Sequence, residues 1–111
     1  MHSTYARAVY PAWFADADMA ARFAPPEAIS ETGAATLARL RRVGYDWRER
    51  VRAVSIPTLV IHGELDALPL ASVAENSYIL PNARVVVVPS SGHMPFWEAP
   101  DQFFPIVESF L

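Results

Sequence analysis

Asp66 and His93 stand where side chains can do chemistry. Asp66 follows the apolar run Ile56-Pro57-Thr58-Leu59-Val60-Ile61-His62 by way of a turn at Gly63. His93 follows a second run, Arg84 to Val88, by way of Ser90-Ser91-Gly92. Open α/β sheets place their chemistry at the carboxyl ends of neighbouring parallel strands, where such turns bring an acid and a base together. An imidazole there can take up and return a proton near neutral pH. A carboxylate beside it can orient the ring and stabilise the imidazolium. Each residue also has a structural use: Asp66 could cap the helix that follows, and His93 could be a surface histidine in a turn.

The other polar and aromatic candidates read more simply. His62, the last residue before Gly63, suits packing and hydrogen bonding, and His2 is terminal. No His-x-His or His-Glu-x-x-His spacing occurs, so no metal site is expected. Glu64 reads as an exposed turn residue with substrate contact as its alternative, and Glu98 as a cap for the final helix. Phe96 and Trp97 either line a pocket beside His93 or plug a sheet–helix junction. Trp13, Phe14 and Phe23 read as core packing, with an apolar substrate wall as the alternative.

The elements that must position Asp66 and His93 follow from patterning. Thr58 to Ile61 and Arg84 to Val88 run apolar without alternation, as parallel strands covered on both faces do. Between them Leu70, Val73, Ala74 and Ser77 share one helical face, which ends before Pro81-Asn82. Pro100 and Asp101 open a last helix through Phe103, Phe104, Val107 and Phe110, and Pro105 is expected to kink or shorten it. Upstream, Tyr5, Val9, Trp13, Phe14, Met19, Ala20 and Phe23 suggest one or two short helices, broken by Pro11 and ended by Pro25-Pro26. Ser30 is an N-cap for a helix through Leu37, Leu40 and Arg41 that stops at Gly44, with Arg39, Arg41 and Arg42 on a solvated face. Tyr45 to Ser55 is a charged connector with a helical turn over Asp46 to Arg52. The organisation is a helical segment over residues 1–44 and a strand-helix-strand-helix unit over residues 45–111.

Composition sets limits on partners. The 111 residues are 52% hydrophobic and 19% charged with a formal net charge of -3, which gives no reason to expect nucleic acid or an anionic membrane surface as a partner. The basic residues are all arginine, and cysteine is absent, which excludes disulfides and thiolate metal sites. No apolar run reaches membrane-spanning length, and no basic-then-apolar leader opens the chain, so the expectation is a cytoplasmic protein without a cofactor.

The segments IPTLVIHGELD, LPNARVVVVPSSGHMPFWEAPDQF and FFPIVESFL together resemble the C-terminal third of an α/β-hydrolase, over roughly residues 45–111. The resemblance implies an α/β fold whose last two strand-helix units are present. It places Asp66 at the acid position and His93 at the histidine position of a catalytic triad, in that family's chain order. The preceding stretch YDWRERVRAVSIPTLVIHG resembles the end of a cap domain in the branch containing proline iminopeptidases, so residues 1–44 would be part of a cap. The implied activity is hydrolysis of an ester, amide or N-terminal peptide bond.

The chain departs from that pattern in three ways. No Gly-x-Ser-x-Gly elbow occurs; Ser3, Ser30, Ser55, Ser72, Ser77, Ser90, Ser91 and Ser109 all lack its context. The strand and loop that would supply oxyanion-hole amides are missing. Ala67 follows the acid, where an aminopeptidase would need acidic groups to hold a free amine. Two strands would also leave sheet edges open. The expectation is therefore a chain that pairs with a complementary N-terminal hydrolase half, self-associates through its sheet edge, or is a piece of a longer protein. Its substrate would be a small molecule or peptide. Two alternatives stand beside it: a non-catalytic remnant that binds a partner through an open edge, and a dehalogenase-like enzyme with a carboxylate nucleophile.

Overall fold

The computed structural model describes residues 8–24 and 30–111. The element order is a 3₁₀ turn at Tyr10–Trp13, helix α1 at Ala17–Arg22, α2 at Glu31–Val43, α3 at Arg48–Arg52, strand β1 at Thr58–Gly63, α4 at Leu70–Ser77, strand β2 at Ala83–Val88, α5 at Pro95–Glu98 and α6 at Pro100–Phe110. Tyr5 and the expected helix end at Pro25-Pro26 lie outside the described residues.

β1 and β2 form a parallel two-stranded sheet with α4 as the crossover. Parallel neighbours need such a crossover, because a tight hairpin can join only antiparallel strands. The register runs from Thr58 opposite Ala83 to Gly63 opposite Val88. The two strands thus end flush, and their following loops start at the same level of the sheet. The ladder continues one step past the strands, where the Glu64 N–H donates to the Val88 carbonyl at 2.9 Å.

Local signals account for most element ends. Ser30 caps α2 by accepting from the Gly33 N–H at 3.3 Å, and Gly44 ends that helix with φ +69°. Glycine reaches that left-handed conformation without the steric cost other residues meet. Asp46 accepts from the Arg48 N–H at the start of α3. Asp16 caps α1 with bonds from Asp18 and Met19.

Two expectations change. Pro105 does not end or shorten α6, which runs through to Phe110. It lies inside the helix but is exposed, so water can satisfy the one carbonyl its missing N–H leaves free. β2 is not covered on both faces either: Val85 is 39% and Val87 37% exposed. Only Val88, at its end, is fully enclosed. Most buried residues gather at the carboxyl ends of the strands: Val88, Ser91, His62, Gly63, Gly92 and Pro95, with Phe14 alongside; Ser77, at the end of α4, is buried apart from them. The best-packed part of the molecule is the support of the Asp66 and His93 loops.

Candidate active site

Asp66 and His93 meet. Asp66 Oδ2 lies 2.9 Å from His93 Nδ1, with the Asp66 side chain 6% exposed and the His93 ring 37% exposed. The Asp66 carboxylate accepts a hydrogen bond from Nδ1–H, which fixes the tautomer and leaves Nε2 as the proton-accepting nitrogen. The second carboxylate oxygen, Oδ1, accepts from the Leu68 N–H at 2.9 Å. Asp66 therefore braces its own loop instead of capping α4, whose N-cap is Pro69 without a side-chain bond. A nearly buried carboxylate held by an imidazole and a backbone amide is geometrically fixed, and removing one partner would leave charge without compensation.

Gly63 is needed here, though not for a turn conformation. Its φ is not positive; what excludes a side chain is proximity. A Cβ at Gly63 would collide with the Gly92 carbonyl oxygen and come within 2.6 Å of the Ser91 carbonyl. The acid loop and the histidine loop pass backbone against backbone at this point. The Leu65 N–H donates to the Ser91 carbonyl at 2.8 Å and joins them.

The histidine loop is braced from outside as well. Ser90 sits at φ 53°, a left-handed conformation that costs a non-glycine residue on the order of 1 kcal/mol. Its N–H donates to Glu64 Oε2 at 2.8 Å. Glu64 is exposed as expected, and it ties the turn after β1 to the turn after β2. Ser91 is fully enclosed, with its hydroxyl donating to the Val88 carbonyl at 3.1 Å.

Glu98 corrects the sequence reading. It does not cap α6, whose N-cap Ala99 has no side-chain bond. Its Oε2 accepts from Gly92 N–H at 2.6 Å, and its Oε1 from Ala15 and Asp16 N–H at 2.6 and 3.1 Å. With its oxygens engaged by these remote amides, Glu98 serves a different junction.

Around this centre, Trp13 lies against the imidazole with ring centroids 5.0 Å apart. Phe23 contacts Tyr10, Phe14 and Trp97, and Phe14 is buried, so the aromatic segment packs as a cluster with Trp13 at its His93 end. Phe96 packs edge-on against Phe103 and remains partly exposed, as does Trp97. His62 is 5% exposed, and its Nδ1 is 3.7 Å from Asp66 Oδ2, too far for a hydrogen bond. No cluster suited to a metal ion occurs among the described residues.

The parallel strands, flush loop ends and acid–imidazole pair describe one corner of an α/β-hydrolase. The sequence matches the Alpha/beta hydrolase family over residues 2–106, and the chain belongs to that family. Among relatives, the pimeloyl-(acyl-carrier protein) methyl ester esterase of Aeromonas hydrophila is 36% identical over 94 residues, covering 84% of this chain and 35% of the esterase. A serine hydrolase involved in carbazole degradation (CarC enzyme) has a solved structure that is 30% identical, with a TM-score of 0.59 over 69% of this chain and 31% of that one. An alpha/beta fold family hydrolase from Bacillus anthracis superposes over 99% of this chain and 41% of its own, with a TM-score of 0.78 at 22% identity, a likeness of fold. The chain spans about a third of the length of the curated relatives it matches.

Proposed function

We propose that this chain supplies the acid–base half of a serine-type hydrolase site, acting on an ester. His93 is the general base and acid, and Asp66 orients it. The observation that carries this reading is the 2.9 Å Asp66–His93 contact at the flush ends of two parallel strands. The nucleophile belongs to a segment outside this chain. In the reaction, Nε2 takes the hydroxyl proton as serine oxygen bonds to the ester carbonyl carbon. It returns that proton to the departing alcohol oxygen when the carbon–oxygen bond breaks. Water then repeats the sequence on the acyl-enzyme, and Asp66 stays ionised throughout.

The ester class is supported by the name of the Aeromonas hydrophila relative. It is also supported by Ala67, which puts no acidic group beside the acid for a substrate's free amine. A proline iminopeptidase-like substrate is the less favoured variant of the same chemistry. Residues 1–44 fit part of a cap and residues 45–111 the end of the hydrolase domain. The natural partner on this reading is the complementary N-terminal half.

A second reading, a non-catalytic module that binds through its sheet, is favoured by the exposure of Val85 and Val87. A small chromogenic ester separates the two, assayed with the chain alone and with any polypeptide that co-purifies. In the active sample, His93→Ala should lower turnover by about 10²-fold or more, the worth of a positioned general base. Equal rates for parent and variant in both samples would leave the binding module.

A further inference from the structure

We propose that Glu98 is the positioning residue that locks the strap Trp13–Asp16 onto the His93 loop, so that Trp13 stands as a fixed wall beside the reacting imidazole. The inference rests on His93 being the reacting group. It adds a residue and a neighbouring surface that the acid–histidine pair does not itself specify.

The geometry is specific. Three bonds join two segments about eighty residues apart, and a fourth ties the histidine loop to the same carboxylate. The His93 N–H donates to the Trp13 carbonyl at 2.6 Å, and Gly92 N–H donates to Glu98 Oε2 at 2.6 Å. Ala15 and Asp16 donate to Glu98 Oε1 at 2.6 and 3.1 Å. One carboxylate thus holds the strap with one oxygen and the loop with the other. Among the described residues no arginine pairs with Glu98, so backbone amides carry its charge. Charge-assisted bonds of this kind are about twice as strong as neutral ones.

Close approach reinforces the lock. A Cβ on Gly92 would collide with the Trp13 carbonyl oxygen and reach 3.0 Å from the Ala15 nitrogen. The strap therefore lies directly on the loop backbone, leaving no room for a water layer. Held there, Trp13 keeps its ring 5.0 Å from the imidazole and defines one side of the space a substrate acyl or alkoxy group would enter.

The test uses tryptophan fluorescence and needs no hydrolysis. In a Trp47→Phe, Trp97→Phe background of the full chain, Trp13 is the only indole. Protonation of a contacting imidazole quenches it, so the intensity should fall as the pH is titrated downward. His93→Ala should abolish that titration. Glu98→Ala should abolish it too, while Glu108→Gln, on the exposed side of α6, should leave it intact. Glu98→Gln keeps one accepting oxygen and should retain part of the amplitude.

A full quench in Glu98→Ala overturns the proposal, as does a parent background with no His93-dependent quench. If circular dichroism shows Glu98→Ala unfolded, Glu98→Gln decides: reduced amplitude supports the lock and unchanged amplitude refutes it. Failure of the ester assay would remove the hydrolase reading without altering this titration, so the two ideas fail separately.

Discussion

Asp66 is held by an imidazole on one oxygen and a backbone amide on the other, and Gly63 makes room for the loop that brings the imidazole in. That makes Gly63 the most sensitive backbone position near the site. Gly63→Ala forces a methyl group into the Gly92 carbonyl, and neither partner is a flexible side chain that could swing away. Overpacking against backbone costs about 1–3 kcal/mol and displaces the histidine loop. Gly33 is the contrast. Its nearest neighbour is the Ser30 Cβ at 3.6 Å, an ordinary contact, within α2. Gly33→Ala should stabilise by about 0.5–1 kcal/mol through helix propensity. Urea denaturation of the two variants should therefore shift the midpoint in opposite directions. The chain does turn after Gly63, where the Asp66 N–H donates to the Gly63 carbonyl at 3.1 Å, but the reason the position must be glycine, a crossing of two backbones, depends on residues almost thirty positions later.

At the scale of elements, the legible features were those with local signals. The β-branched runs, the helical face between them, the Ser30 cap and the Gly44 stop are each written within a few residues. Glu98, Glu64 and Trp13 were read differently or left open because their partners lie far along the chain. No periodicity encodes an amide accepted from a segment more than eighty residues away. The short helix α3 offers an electrostatic test of local signals. Arg48 donates side-chain hydrogen bonds to the Asp46 carboxylate, and with its backbone N–H it pulls the Asp46 pKa from an ordinary 3.8 down to about 2. A carboxyl depressed on folding contributes stability that is fully present above its unfolded value and lost as pH falls through its folded one. The cap should therefore persist from neutral pH down to about 4 and loosen as pH approaches 2. Both side chains are exposed, so salt should screen the effect. Carboxyl carbon NMR should show Asp46 titrating low in the parent chain and closer to the ordinary range in Arg48→Ala, which keeps only the backbone N–H bond.

Across the whole molecule, packing is uneven in a way that bears on what completes it. The enclosed residues cluster under the Asp66 and His93 loops, while Val85 and Val87 leave one face of β2 open. Burying a valine stabilises by roughly 1.5–3 kcal/mol, so an uncovered β-branched pair on a two-stranded sheet is a strong incentive to associate. Such a surface can be met by the complementary half of a hydrolase or by a second copy of this chain. A charge on that face would oppose both. Val85→Lys lies opposite Val60, several rungs from the flush strand ends. It should lower the associated fraction in sedimentation velocity while leaving the Trp13–His93 fluorescence titration as it was. If the sedimentation profile does not change, the open face is not where the chain associates, and the partner must be sought at the sheet edges instead. If association and titration are lost together, the face and the site form one cooperative unit, and the histidine loop reaches its working geometry only once the sheet is covered.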